Sequence, residues 1–199
     1  MHRLAAARAR SRPARARWPS GSGEPERPLL VAGGGVHYSL AEAALRAFAE
    51  RHGIPVAETQ AGKGSLPWDH PACVGAIGVC GSTAANALAA DADLVLAVGT
   101  RLADFPTGSR ALFQGPDLTL VALNVAPARR RQARRRCRWW ATRGRGLEEL
   151  SARLGAWRAP AARMETARRA HRGVDASGRR RHRAAERTSP PPRDRSSAR

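Results

Sequence analysis

Three glycines in a row, Gly33-Gly34-Gly35, follow the apolar run Leu29-Leu30-Val31-Ala32, and they open the question of chemistry. A glycine turn between a buried strand and a helix can present backbone N–H groups to a phosphate at the helix N-terminus. The helix expected over 40–52 would place its first turn there. Gly33-Gly34-Gly35-Val36-His37-Tyr38 lacks the GxGxxG spacing, and Glu58 only lies near the distance of ~20 residues at which an acidic residue reads a ribose. Tight backbone packing is therefore the preferred reading of the glycines. Lys63, between Gly62 and Gly64, could meet an anion or stand solvated. His37, His52 and His70 have no regular metal spacing, and Cys73, Cys80 and Cys137 form no CxxC pair. Cys73 and Cys80 read as small packing residues. Nowhere do a nucleophile, a base and an orienting residue assemble. No residue of this chain is assigned to a catalytic, cofactor-binding or metal site.

The elements that would position these residues follow from periodicity. Leu29–Ala32 is a buried parallel strand. Ser39 with Glu42 three residues on has the form of a capping box, and Leu40, Ala44, Ala47 and Phe48 supply an apolar helical face. Gly53 ends the helix, and Ile54-Pro55-Val56-Ala57 begins a second strand, so a right-handed crossover is expected. Residues 58–71 form a polar, glycine-rich loop at the carboxyl end of that strand, a place where sites and contacts commonly lie. Trp68 in that loop is expected to pack. The small residues from Gly75 lead into a helix over 82–91, capped by Ser82 or Thr83. Asn86 sits inside it and is expected to bond to a neighbouring loop. Asp93-Leu-Val-Leu-Ala-Val-Gly99 and Thr119-Leu-Val-Ala-Leu-Asn124-Val are two further buried strands. Between them, Arg101 and Asp104 could pair, with Phe113 packing underneath. Leu147, Leu150, Leu154 and Trp157 mark an amphipathic helix. Pro160 interrupts it, and a weaker helix covers 161–171.

Charge divides the chain. The sequence has a formal net charge of +19, yet residues 28–126 carry five basic and eight acidic groups. The excess lies in 1–27, with seven basic against two acidic groups, and in 127–199, with 23 against six. The core should not attract polyanions as a whole. The start of the chain, Arg- and Ala-rich and acid-poor, has some transit-peptide character. Its prolines and lack of amphipathic period argue against that, and a cytoplasmic location is expected. No stretch of ~20 apolar residues indicates a spanning helix, so no membrane partner is expected. The organisation expected is a basic, disordered 1–27, a domain over 28–126, an Arg-rich 127–145, a helical part over 146–171, and a disordered tail over 172–199. The Arg cluster before Trp139 and Trp140 could bind RNA by charge and stacking.

The run Gly75-x-x-Gly78-x-x-Gly81-x-x-x-Ala85-Asn86, then Ala92-Asp93-Leu-Val-Leu-Ala-Val-Gly99-x-Arg101-x-x-Asp104, resembles the central domain of thiamine-diphosphate-dependent enzymes of the acetolactate synthase and pyruvate decarboxylase class. Ala57-Glu58-Thr59-Gln60-Ala61-Gly62-Lys63-Gly64 and Leu66-Pro67-Trp68-Asp69-His70-Pro71 resemble, more narrowly, the members that open a cyclic 1,2-diketone in myo-inositol catabolism. The resemblance covers about half the chain. It implies an α/β, Rossmann-like parallel sheet with helices on both faces. It also implies a hydrolase that cleaves a C–C bond with thiamine diphosphate and Mg²⁺, the cofactor acting as electron sink. An acetolactate-synthase-like enzyme is the alternative within the family, and a basic nucleic-acid-binding module using 128–145 is the alternative outside it.

In the family a first domain supplies the Glu that activates the cofactor, and a third carries a GDG…N motif for Mg²⁺ and the diphosphate. No Gly-Asp-Gly occurs in this sequence. This chain is therefore expected to bind neither cofactor by itself, to be inactive alone, and to need N- and C-terminal catalytic domains or partner subunits. Homo-oligomerisation is implied for the complete enzyme, with the loops around 60–70 and 100–108 bordering a partner domain or subunit. Nucleic acid is expected to bind only non-specifically, through the basic flanks.

After Asn124-Val-Ala the family continues to a further strand, typically like Pro-Val-Val-Gly-Asp-Ala. This chain has Arg138-Trp-Trp-Ala-Thr-Arg instead. Trp has the single codon TGG, and TGG TGG GCG ACG read one base earlier, behind a G, encodes Val-Val-Gly-Asp. Residues from about 128 to 144 are hypothesised to be translated out of frame. That would remove a strand, leave an apolar sheet edge unpaired and make the isolated chain poorly soluble.

Overall fold

A computed structural model describes residues 24–124, 135–140 and 143–173, with the backbone alone for 135–140 and Arg143. Six strands form one parallel sheet in the order β3-β2-β1-β4-β5-β6. They are β1 (Pro28–Ala32), β2 (Val56–Glu58), β3 (Cys73–Ala76), β4 (Leu94–Val98), β5 (Thr119–Asn124) and β6 (Arg135–Trp140). The helices are α1 (Glu42–His52), α2 (Thr83–Ala90) and α3 (Arg143–Leu154), with a further helix over 161–173. The strand order reverses between β1 and β4, as in a doubly wound dinucleotide fold.

Alternation along each buried strand builds the two faces. Leu30 and Ala32 of β1, with Leu94, Leu96 and Val98 of β4, pack on Leu45 and Phe48 of α1 and Leu147 and Leu150 of α3. Leu29, Val31, Val95 and Ala97 turn to the other face and meet Ala85 and Leu88 of α2 and Ala167 of the 161–173 helix. All five residues of β1 and all five of β4 are buried, as apolar runs covered on both sides must be. Phe113 is buried in the second cluster, beneath the β4–β5 connection as expected.

Several local expectations are corrected. Ser39 does not cap α1. The chain makes a 3-10 turn over His37–Ser39 and passes through Leu40 at φ 48° before α1 begins behind Ala41, which lacks a side-chain cap. The Glu42 carboxylate binds His37 instead of closing a capping box. This late start rotates the buried stripe to Leu45, Phe48, Ala49 and His52, leaving Leu40 and Ala47 exposed. The loop expected over 58–71 is present, but the residues after it form a strand that was not expected: Cys73–Ala76 pairs with Val56–Glu58 and extends the sheet. Its short length, small residues and Gly75 conceal that strand in the sequence. Trp157 lies beyond the end of α3 but still packs against the first cluster.

The expected loss of the last strand is also not found. Arg135–Trp140 pairs in parallel with β5 over six residues, from Thr119↔Arg135 to Asn124↔Trp140. Ladder hydrogen bonds belong to the backbone, so a non-proline segment can occupy this edge whatever its charge. Because β5 is covered, the unpaired-edge argument for poor solubility falls. The expectations for 1–23, 125–134, 141–142 and 174–199, and those that rest on the side chains of 135–140, lie outside the described residues.

Candidate contact rim at the carboxyl ends of the strands

In doubly wound sheets a ligand crevice opens where the strand order reverses, here between the carboxyl ends of β1 and β4. In this chain the two turns close on each other. Gly33 N–H donates to the Val98 carbonyl at 2.8 Å and Gly35 N–H to the Gly99 carbonyl at 3.0 Å. A Cβ at Gly33 would lie 2.5 Å from the Thr100 Cβ, and one at Gly99 would lie 2.8 Å from Gly35. The glycines therefore serve backbone packing, and these turns leave no cradle for a diphosphate. Among the described residues no cluster of three or more His, Cys, Asp or Glu could hold a metal ion. Among the described residues, these turns do not fit a diphosphate and no such cluster fits Mg²⁺.

What the carboxyl ends do present is apolar surface. Tyr38 is 90% exposed, Leu40 88% and Trp68 75%, and Val79 and Phe105 are about half-exposed. Trp68 was expected to pack and instead stands in solvent, at the side of a hollow of about 880 Å³. Glu42, Arg46, Lys63, Cys73 and His171 also line this hollow. Leu40 is held in a left-handed conformation that a leucine adopts only at a cost.

The loops carrying these side chains are fixed from beneath. Glu58, buried at the end of β2, accepts the Leu66 N–H at 3.0 Å, and the Ser65 hydroxyl donates to the Gly62 carbonyl at 2.6 Å. Ser82 caps α2 by accepting the Ala85 N–H, as expected. Asn86 bonds both backbone groups of Gly78 at 2.9 Å, which meets the expectation of a loop contact and explains a polar residue inside a short helix. Gly78 in turn lies against Phe105, and Val79 N–H donates to the Phe105 carbonyl. Asp104 pairs with Arg110 at 3.7 Å, not with Arg101 as expected, because the 3-10 turn over Phe105–Thr107 folds the chain back.

His37, His52 and His70 occupy separate structural positions. His37 faces two acceptors, the Glu42 carboxylate at 2.8 Å and the Lys63 carbonyl at 3.1 Å. The Glu42 hydrogen bond holds its pKa above the ordinary value, against a smaller opposing effect of burial. His70 accepts the Ala72 N–H and donates to Glu50 at 3.0 Å. His52 is fully buried between α1 and α3, and burial pulls its pKa down. Cys73 is buried as expected and burial pushes its thiol up, whereas Cys80 is exposed. Lys63 has no ion pair among the described residues. The rim offers apolar and polar contacts, with no assembled nucleophile and base among the described residues.

Strand order, two-sided helical cover and closed glycine turns define a Rossmann-like domain. The chain belongs to the thiamine pyrophosphate enzyme central-domain family, whose model matches residues 24–150. Its relatives include 3D-(3,5/4)-trihydroxycyclohexane-1,2-dione hydrolases. Those of Clostridium perfringens (strain ATCC 13124) and Geobacillus thermodenitrificans are each 50% identical to it over 101 residues, and that of Clostridium tetani is 46% identical over the same length. The matched stretch is 51% of this chain and 16% of each of these relatives.

Proposed function

We propose that this chain is the central-domain portion of a thiamine-diphosphate- and Mg²⁺-dependent hydrolase that opens a cyclic 1,2-diketone in myo-inositol catabolism. The supporting observation is the identity of about half over 101 residues to hydrolases with that named substrate. In this reading both cofactors are held by N- and C-terminal catalytic domains, and the isolated chain is inactive. The exposed Tyr38, Leu40, Trp68 and Phe105 side chains then contact those domains or a partner subunit in a cytoplasmic homo-oligomer. Residues 128–144 are proposed to be an out-of-frame translation of the family's last strand.

The test joins two measurements. The chain is assayed for ring opening of trihydroxycyclohexane-1,2-dione with thiamine diphosphate and Mg²⁺, alone and after its 24–150 segment replaces the matching segment of a full-length relative. No activity alone and activity in the chimera support the reading. Activity alone, or a folded chimera without activity, overturns it. Resequencing the gene and about two kilobases either side tests the frame, and an unbroken short frame with intact stops sinks that part.

The Arg-rich 128–145 segment with Trp139 and Trp140 motivates a second reading, a basic nucleic-acid-binding module. It requires RNA affinity that falls steeply with salt. Loss of that affinity on replacing the arginines of 129–136 by Gln would support it, and salt-insensitive or absent binding would remove it.

A further inference from the structure

His37 lies in the β1–α1 turn with both imidazole nitrogens on groups that only accept. Nδ1 is 2.8 Å from a Glu42 carboxylate oxygen, and Nε2 is 3.1 Å from the Lys63 carbonyl oxygen. A neutral imidazole carries one N–H and can satisfy one of these partners; the imidazolium satisfies both. The two partners belong to different parts of the rim. Glu42 opens α1, and Lys63 belongs to the β2–β3 connection that carries Trp68. The bridge spans 26 residues of sequence and flanks Tyr38 and Leu40.

We propose that His37 is a pH-sensitive clasp, joining the β1–α1 turn to the β2–β3 loop when doubly protonated and releasing that loop when it loses a proton. Its effect on docking rests on the contact-rim reading, whereas the clasp itself does not. The titratable and charged groups lining the adjoining hollow are Glu42, Arg46 and Glu50 from α1, Glu58 and Lys63 from β2 and the loop after it, Cys73 from β3, and His171 from the 161–173 helix. Of these, Glu42 is the one whose side chain bonds the imidazole. Glu50 is occupied by His70, and Glu58 by the Leu66 N–H. Glu42 favours the charged ring, consistent with the raised pKa. The linkage therefore has a fixed sign. The clasp is complete below about pH 6.5, the ordinary histidine value, and is lost as pH rises through the higher value of the folded protein.

The test uses the full chain. Imidazole NMR follows His37, and hydrogen exchange, corrected for intrinsic pH dependence, follows the amides of 60–66 across pH 5.5 to 9. We expect both ring nitrogens protonated at the acid end. Protection of 60–66 should fall roughly fivefold through the His37 transition, the size expected for one partly exposed hydrogen bond. Glu42→Gln should move the transition to lower pH, and His37→Gln should abolish the pH dependence. Protection that stays flat through the His37 titration, or that persists in its pH dependence in H37Q, overturns the clasp. Failure of the chimera described above would remove its docking role while leaving this exchange result intact, so the two readings fail separately.

Discussion

Ser151→Ala is the sharpest test of how the C-terminal part is held to the sheet. His52 closes α1 and is fully buried, stacked with Trp157. Its Nδ1 lies 2.7 Å from the Trp157 carbonyl, which can only accept, so Nδ1 carries the proton. Nε2 of the neutral ring then accepts the Ser151 hydroxyl at 2.8 Å. Removing that hydroxyl deletes one hydrogen bond and leaves a buried ring nitrogen without its partner, at a cost of about 1–3 kcal/mol. Each kcal/mol shifts Tm by about 2–4 °C in a chain of this size, so a fall of roughly 2–12 °C is expected. His52→Phe provides the second arm of a double-mutant cycle. With no nitrogen left unsatisfied, Ser151→Ala in that background should cost well under half as much. Equal losses in the two backgrounds, measured by urea unfolding at pH 7.5, would refute the assigned bond. The pH arm has a definite sign. Burial lowers the His52 pKa, so the unfolded chain binds more protons. The stability from neutral His52 is complete above about pH 6.5 and falls away as pH drops through the folded value. His52→Phe should lack this acid-side loss, whereas the parent chain should show it.

Further outcomes follow from the packing. Leu150→Ala should lower stability by about 2–5 kcal/mol in urea unfolding, because a buried leucine on α3 faces the sheet core. Gly78→Ala should destabilise the fold by about 1–3 kcal/mol or prevent it, since φ is +102° and an added Cβ would collide with the Phe105–Pro106 backbone; thermal melting reads the change. Arg163 is buried, donates to the Pro28 and Leu88 carbonyls and pairs with Asp91 at 2.9 Å. Arg163→Met should cost about 2–4 kcal/mol by leaving those carbonyls short of donors, with hydrogen exchange rising first in 161–173. An unchanged exchange profile there would contradict the role given to Arg163.

The sequence alone determined the layered parallel fold, the strands β1, β4 and β5, and the helices α1, α2 and α3. Each of these carries its information locally, as a continuous apolar run or a helical repeat. Gly53, Ser82 and Asn86 were likewise legible, because turn, cap and loop-bonding preferences belong to residue types. Their partners lie within eight residues of sequence. β3 was not legible, since Cys73-Val-Gly-Ala has neither the length nor the β-branched content of a strand and becomes one by pairing with β2. Only the tertiary structure decided that Gly33 and Gly99 close the switch point, that Trp68 faces solvent, and that His37 reaches Lys63 while His52 reaches Ser151 and Trp157. These outcomes depend on atoms brought together across 26 to about 105 residues. A strand's burial is written in its own side chains, but a histidine's protonation state is set by whichever donors and acceptors the finished fold places around it.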